Sequence, residues 1–181
     1  MELSCISYSG SELELIRKAY VVAAHWHRDQ WRRSGDAYVS HCVAVARILA
    51  DMDMDAATVC AGLLHDVPAD TGCPPDRLLA EFGGEITAIV GSVIGLDSLR
   101  VGSAAALVEG LVENTERRVL AVKQADRLHN LQMVSYLQPD MQRRKSRETL
   151  DLFAPVAGRL GFDNIKEQLE DLALATLLRS A

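Results

Sequence analysis

Apolar positions along the chain recur mostly at intervals of three and four residues, the period of a helix, and runs alternating with period two are nearly absent. Leu13, Ile16, Tyr20, Ala23 and Ala24 form one such stripe. It predicts a helix from about Glu12 to Trp31, capped by Ser11, with Arg32-Arg33-Ser34-Gly35 as its end and following loop. Val43, Val45, Ala46, Ile48 and Leu49 predict a second helix that begins near His41 and stops at Asp51-Met52-Asp53. A third, from about Ala56 to Val67, carries Val59, Cys60, Leu63 and Leu64. It leaves His65-Asp66 at a C-terminal end, because Pro68 disfavours continuation. Pro74-Pro75 suit the first turn of a fourth helix bearing Leu78, Leu79 and Phe82, which Gly83-Gly84 close. From Glu85 to Leu111 the pattern blurs, interrupted by Gly91, Gly95, Gly102 and Gly110. Periodicity returns near Arg117, where Val119, Leu120, Val122, Leu128 and Leu131 predict a helix containing Asp126 to Asn130. Two more are expected over about Met141–Leu160 and Asn164–Leu178, so the fold class is all-α.

With 181 residues, 49% of them hydrophobic, the chain can enclose one sizeable core, and a single domain over 1–181 is expected. The net charge of −6 disfavours a nonspecific nucleic-acid binder, which needs a broad basic surface, but leaves room for a small anionic ligand where basic residues converge. No leader pattern opens the sequence, and no uninterrupted apolar run approaches the ~20 residues that cross a bilayer. These features predict a soluble, cytoplasmic protein with no membrane partner. They do not define an oligomeric state. Cys5, Cys42, Cys60 and Cys73 lack CxxC spacing, which argues for free thiols rather than a zinc knuckle or disulfide framework.

The residues with chemistry are His41, the pair His65-Asp66, and Asp126, each at or in a different apolar-flanked helix. A helical core normally excludes such groups, since burying an unpaired charge is costly. A lone histidine on a helix is more often satisfied by hydrogen bonds, and a His-Asp dipeptide also occurs by chance; several such residues on separate helices suggest convergence. Two imidazoles and two carboxylates suit manganese, iron or zinc, with manganese favoured by the oxygen donors, and calcium disfavoured by the nitrogens. Four protein ligands leave coordination positions for water and a substrate oxygen, which points to hydrolysis of a phosphoryl group.

The segments Arg32-Arg33-Ser34-Gly35-Asp36-Ala37-Tyr38-Val39-Ser40-His41, Ala61-Gly62-Leu63-Leu64-His65-Asp66-Val67, Phe82-Gly83-Gly84-Glu85 and Lys123-Gln124-Ala125-Asp126-Arg127-Leu128-His129-Asn130 follow one another in order. They continue into Arg147-Glu148-Thr149-Leu150-Asp151-Leu152-Phe153-Ala154-Pro155-Val156-Ala157-Gly158-Arg159-Leu160-Gly161 and Ile165-Lys166-Glu167-Gln168-Leu169-Glu170-Asp171-Leu172. In this order they resemble the hydrolase domain of RelA/SpoT proteins, an HD-type helical bundle, over about residues 20–175. Nothing in the chain resembles the synthetase domain. The resemblance is to a small stand-alone hydrolase of guanosine tetra- and pentaphosphate, acting on their 3′-pyrophosphate to give GDP or GTP and pyrophosphate.

The resemblance implies that His41, His65, Asp66 and Asp126 hold one Mn2+ ion, with Zn2+ or Fe2+ as alternatives. It implies that Arg32 packs on the guanine, that Arg33 and Ser34 contact the nucleotide, and that Asn130, one turn beyond Asp126, reaches ribose or base. A guanidinium suits this role, since it stacks on aromatic faces and attracts phosphate. His129 is not expected to be a ligand. Arg143, Arg144, Lys145 and Arg147 form either a solvated helix face or a receiver for distal phosphates. The chain departs from the family where Ala69 replaces a glutamate that assists the attacking water, leaving Asp70 as the expected acid–base group. Cys42 replaces a proline, Met133 a nucleotide-contacting threonine, and Ser92–Asn114 is shorter than the family's lysine-containing segment. Two alternatives follow: a phosphohydrolase for another nucleotide, or a silent protein that binds the alarmone without turnover.

Overall fold

The computed structural model describes residues 8–97 and 104–179, and among these no strand forms; one isolated antiparallel bridge joins Trp31 and Ala37. Cys5 and Gly102 lie outside the described residues. The chain divides into two compact units, Met1–Leu99 and Arg100–Ala181.

The first unit holds α1 (Gly10–Trp26), α2 (Val39–Asp51), α3 (Ala56–Leu64), the single turn α4 (Val67–Asp70) and α5 (Pro75–Asp97). α3 is its centre, packed against α1, α2 and α5. Every residue of α3 except Ala57 is buried. The close approach of α2 is permitted by Gly62: a Cβ there would lie 2.4 Å from Leu49 Cδ1 and 3.4 Å from Val45 Cγ1. Cys42, Cys60 and Cys73 are buried and form no disulfide, and burial pushes the Cys60 thiol up to about 12, in keeping with a packing role.

Several boundaries differ from the sequence-based expectation. α1 is capped by Ser9, not Ser11, through a capping box in which Ser9 accepts from the Glu12 amide and the Glu12 carboxylate accepts from the Ser9 amide. It ends at Trp26 rather than Trp31. The backbone beyond is committed elsewhere: Arg32 N–H donates to the Asp36 carbonyl (2.8 Å), Tyr38 N–H donates to the Gln30 carbonyl (2.9 Å), and Gly35 turns the loop at φ +91°. Helix α5 runs through the Gly83-Gly84 expected to close it. Gly83 takes φ 78° and kinks the path, while Ile86, Ile89, Val90 and Val93 beyond it are buried, so core packing carries the helix on. The span Asp76–Leu96 is long and apolar enough to cross a membrane by length and composition; here its apolar positions serve the core of the first unit.

The second unit holds α6 (Ala104–Asn114), α7 (Arg117–Gln132), a 3₁₀ turn (Val134–Tyr136), α8 (Pro139–Glu148), a π-helical segment (Thr149–Phe153), α9 (Ala154–Arg159) and α10 (Asp163–Arg179). α10 packs on α7, α8 and α9. The one helix expected over 141–160 is thus α8 and α9 joined by a π turn. Pro155 supplies no N–H and its ring would crowd the Asp151 carbonyl, which the wider turn relieves.

Replacing Gly62 by valine overpacks the α2–α3 contact. The expected loss is about 3 kcal/mol, the upper end for added core methyls. It is read from the denaturant midpoint; an unchanged midpoint contradicts the contact.

Candidate functional site

The sequence ends α3 where two chemical residues begin. Pro68 cannot donate to the Leu64 carbonyl, so the chain turns at His65-Asp66 and restarts as α4 with Pro68 in its first turn. Asp66 sits at φ −93°, ψ −12°, the bridge region where many active-site residues are found. His41, the third residue of α2, faces it. The His41 and His65 rings meet at 5.2 Å between centroids, and their ligand nitrogens lie within 4.8 Å of each other. Both Nε2 atoms address one oxygen, Asp66 Oδ2, at 3.4 Å from His41 and 3.2 Å from His65. The imidazoles are buried, at 1% and 3% exposure, while Asp66 keeps 23%.

His65 Nδ1 lies 2.8 Å from the Gly62 carbonyl, which can only accept, so Nδ1 carries the hydrogen. In the neutral ring Nε2 is then a lone pair, aimed at a carboxylate oxygen that also carries lone pairs. Two acceptors at 3.2 Å in a buried place require a cation or an added proton between them. Nitrogen and oxygen donors with a backbone carbonyl fixing the imidazole are what a divalent transition metal takes, so the residues fit one.

Asp70, the expected acid–base residue, is exposed at the end of α4 and is joined to this group by Tyr38. The Tyr38 hydroxyl lies 2.8 Å from Asp66 Oδ2 and 2.8 Å from Asp70 Oδ2. Burial, then the charge of Asp66, pushes the phenol far above its ordinary value, so it keeps its one hydrogen, which the two carboxylate oxygens share. The backbone carbonyl of Asp70 accepts from Gln30 Nε2 (2.6 Å), and Gln30 Oε1 in turn contacts His27 Nδ1 (2.7 Å). His27 is buried and stacks on the Tyr38 ring at 4.6 Å.

Of the expected nucleotide contacts, Arg32 is half-buried with its guanidinium 5.5 Å from the centre of the Tyr38 ring. Arg33 is exposed, and Ser34 Oγ donates to Asp36 (2.7 Å), closing the loop. The structure therefore gathers His41, His65, Asp66, Asp70 and Arg32 within the first unit. Sequence reasoning missed the participation of Tyr38, His27 and Gln30. The available signal was Tyr38, an aromatic residue one helical turn before His41.

In the second unit Asp126 lies inside α7, 18% exposed, and accepts from Asn130 Nδ2 at 2.5 Å, as a one-turn separation allows. Lys123 Nζ is 3.9 Å from its other oxygen. In the basic cluster Arg143 pairs with Asp140 and Lys145 with Glu148 (3.7 Å), whereas Arg144 and Arg147 are exposed. Burial, followed by the nearby Arg127, lowers the Lys145 ammonium below its ordinary value.

The family described as HD domain matches residues 19–163. The chain is 46% identical over 173 residues to a GTP pyrophosphokinase of Streptomyces coelicolor, a match covering 92% of this chain and 20% of that protein. It is 44% identical over 174 residues to the bifunctional (p)ppGpp synthase/hydrolase RelA of Mycobacterium tuberculosis, covering 94% and 24%. It is 42% identical over 175 residues to a guanosine-3′,5′-bis(diphosphate) 3′-pyrophosphohydrolase of Vibrio cholerae, covering 92% and 24%. The chain thus spans 20% to 24% of the length of these curated relatives. A solved structure described as a metazoan ortholog of SpoT that hydrolyses ppGpp shares the all-α fold, with TM-score 0.69 and 24% identity over 92% of this chain and 96% of that one.

The excess of acceptors around Asp66 predicts stabilisation by a divalent cation. At a hundred times its Kd, Mn2+ adds about 2.7 kcal/mol, which for a chain of this size raises Tm by about 5–10 °C. Differential scanning fluorimetry checks it: the rise is expected in the wild type and lost in His65→Ala.

Proposed function

The chain belongs to the HD-domain family, and on that premise we propose that it is a metal-dependent phosphohydrolase that removes the 3′-pyrophosphate of guanosine tetra- and pentaphosphate, acting in the cytoplasm. The observation that carries this reading is the convergence of two buried imidazole nitrogens on one Asp66 oxygen, with His65 Nδ1 committed to the Gly62 carbonyl. His41, His65 and Asp66 are proposed to hold one Mn2+ ion, and Asp126 to complete its ligand set; Zn2+ and Fe2+ suit the same donors. The Asp126–Asn130 hydrogen bond supports this, since it fixes the orientation of a ligating carboxylate. When bound, the ion supplies Lewis-acid polarisation of the phosphoryl group and a nucleophile near neutral pH.

In the reaction, water adds to the phosphorus attached to ribose O3′, that P–O bond breaks, and pyrophosphate leaves a free 3′-hydroxyl. Asp70 takes the proton from the attacking water and returns it to O3′. Its place beside Asp66, bridged by the Tyr38 hydroxyl, suits that task. Arg32 stacks on the guanine, Arg33 and Ser34 hold the nucleotide, and Asn130 contacts ribose or base. The contact of Arg32 with Tyr38 links this nucleotide loop to the carboxylates. The names of two relatives, which refer to (p)ppGpp and to guanosine-3′,5′-bis(diphosphate), support a guanosine polyphosphate as the small-molecule substrate.

One observation favours a second reading, a domain that binds the alarmone without turnover. Ala69 stands exposed beside Asp70 where the resemblance implies a glutamate. Incubating the protein with Mn2+ and guanosine tetraphosphate decides between the two. Pyrophosphate release is expected, with kcat lowered about 10²- to 10⁴-fold and KM little changed in Asp70→Asn. Tight binding by calorimetry without release, and turnover gained by Ala69→Glu, supports the silent reading. Release from an adenosine nucleotide or a dinucleotide in preference to the alarmone reassigns the substrate.

A further inference from the structure

The loop between α1 and α2 does more than carry Arg32. From one end Gln30 holds the backbone of Asp70, and from the other the single hydrogen of the Tyr38 hydroxyl is shared between the carboxylates of Asp66 and Asp70. The aromatic ring of Tyr38 is itself fixed on three sides: it stacks on His27 at 4.6 Å, meets the His41 ring edge-on at 5.8 Å, and lies under the Arg32 guanidinium. His27 is buried, and its Nδ1 is engaged by Gln30. A ring so confined leaves its hydroxyl one place to be. That place is within 2.8 Å of two carboxylates contributed by residues 28 and 32 positions further along the chain.

We infer that Tyr38 is a positioning residue whose hydroxyl couples the metal-holding carboxylate of Asp66 to the acid–base carboxylate of Asp70. The hydroxyl acts on each in a different way. Against Asp66 it fixes the rotamer that points Oδ2 at both imidazoles, as outer hydrogen bonds do for metal ligands generally. Against Asp70, an exposed side chain on a four-residue helix with ample freedom to turn away, it selects the conformation next to the reacting centre. Gln30 restrains the same residue through its carbonyl and touches neither carboxylate. Two kinds of effect therefore separate: loss of the hydroxyl affects both metal binding and turnover, while loss of the Gln30 amide, which reaches Tyr38 only indirectly through the His27 ring, affects turnover far more than metal binding.

The kinetic half of this inference rests on the proposed hydrolase activity; the metal half does not. In Tyr38→Phe, which keeps the ring and its stack on His27, calorimetric titration of metal-free protein with Mn2+ is expected to show 10- to 100-fold weaker binding. At saturating Mn2+ the variant is expected to lose about tenfold or more in kcat with KM changed less than twofold. In an Asp70→Asn background the same substitution is expected to change kcat less than twofold, because the group it positions is already gone. Gln30→Met is expected to lower kcat and leave the Mn2+ affinity within twofold. Unchanged Mn2+ affinity in a Tyr38→Phe protein that melts like the wild type overturns the inference, as does an equal kcat loss with and without Asp70. Should Tyr38→Phe not fold, Gln30→Met decides: an unchanged kcat overturns the clamp on Asp70. Wild-type protein that binds Mn2+ and releases no pyrophosphate overturns the hydrolase reading instead, and the calorimetric comparison still tests Tyr38.

Discussion

The hydrogen on His65 Nδ1 governs the site. Because the Gly62 carbonyl claims it, the opposite nitrogen presents a lone pair to Asp66 from a ring that is itself closed to water. Lone pairs facing each other at such range are tolerable in water and costly in a core, where little screens them. A cation relieves that cost and gains the full attraction of the same low-dielectric surroundings. The local architecture serves this arrangement: Gly62 lets α2 approach close enough to bring His41 alongside, and Pro68 ends α3 so that Asp66 turns toward the two rings.

Packing and chemistry are joined through single residues here. Gly62 is at once the contact point of two helices and the residue whose carbonyl accepts from His65, so core packing and the orientation of that imidazole are coupled at this position. Tyr38 plays the comparable part at the start of α2, where its ring packs beside His41 and its hydroxyl is shared between two carboxylates. In the proposed hydrolase, groups held in this way would be oriented before substrate arrives, which is where much of the rate gain in hydrolysis originates.

Much of this was legible in the sequence where local rules and tertiary packing agree. The all-α class followed from the apolar period, and the position of His65-Asp66 at a helix end followed from Pro68, a purely local effect. Asp126 and Asn130 were readable as neighbours because one helical turn separates them. Elsewhere a distant partner decided. The end of α1 is set by backbone pairing between Trp31 and Ala37, which no hydrophobic period records. Gly83-Gly84 signals a stop, yet burial of Ile86, Ile89, Val90 and Val93 extends the helix past it. Tyr38 reads as an ordinary aromatic at a helix start, because the carboxylates that give it a role arrive from α3 and α4.

Anomalous diffraction from a crystal soaked in Mn2+, collected at the manganese edge, locates the ion without relying on turnover. One strong peak is expected within coordination distance of His41 Nε2, His65 Nε2 and an Asp66 oxygen, with Asp126 as the further protein ligand. A crystal that takes up Mn2+ only elsewhere, with the two imidazoles satisfied by hydrogen bonds, contradicts it.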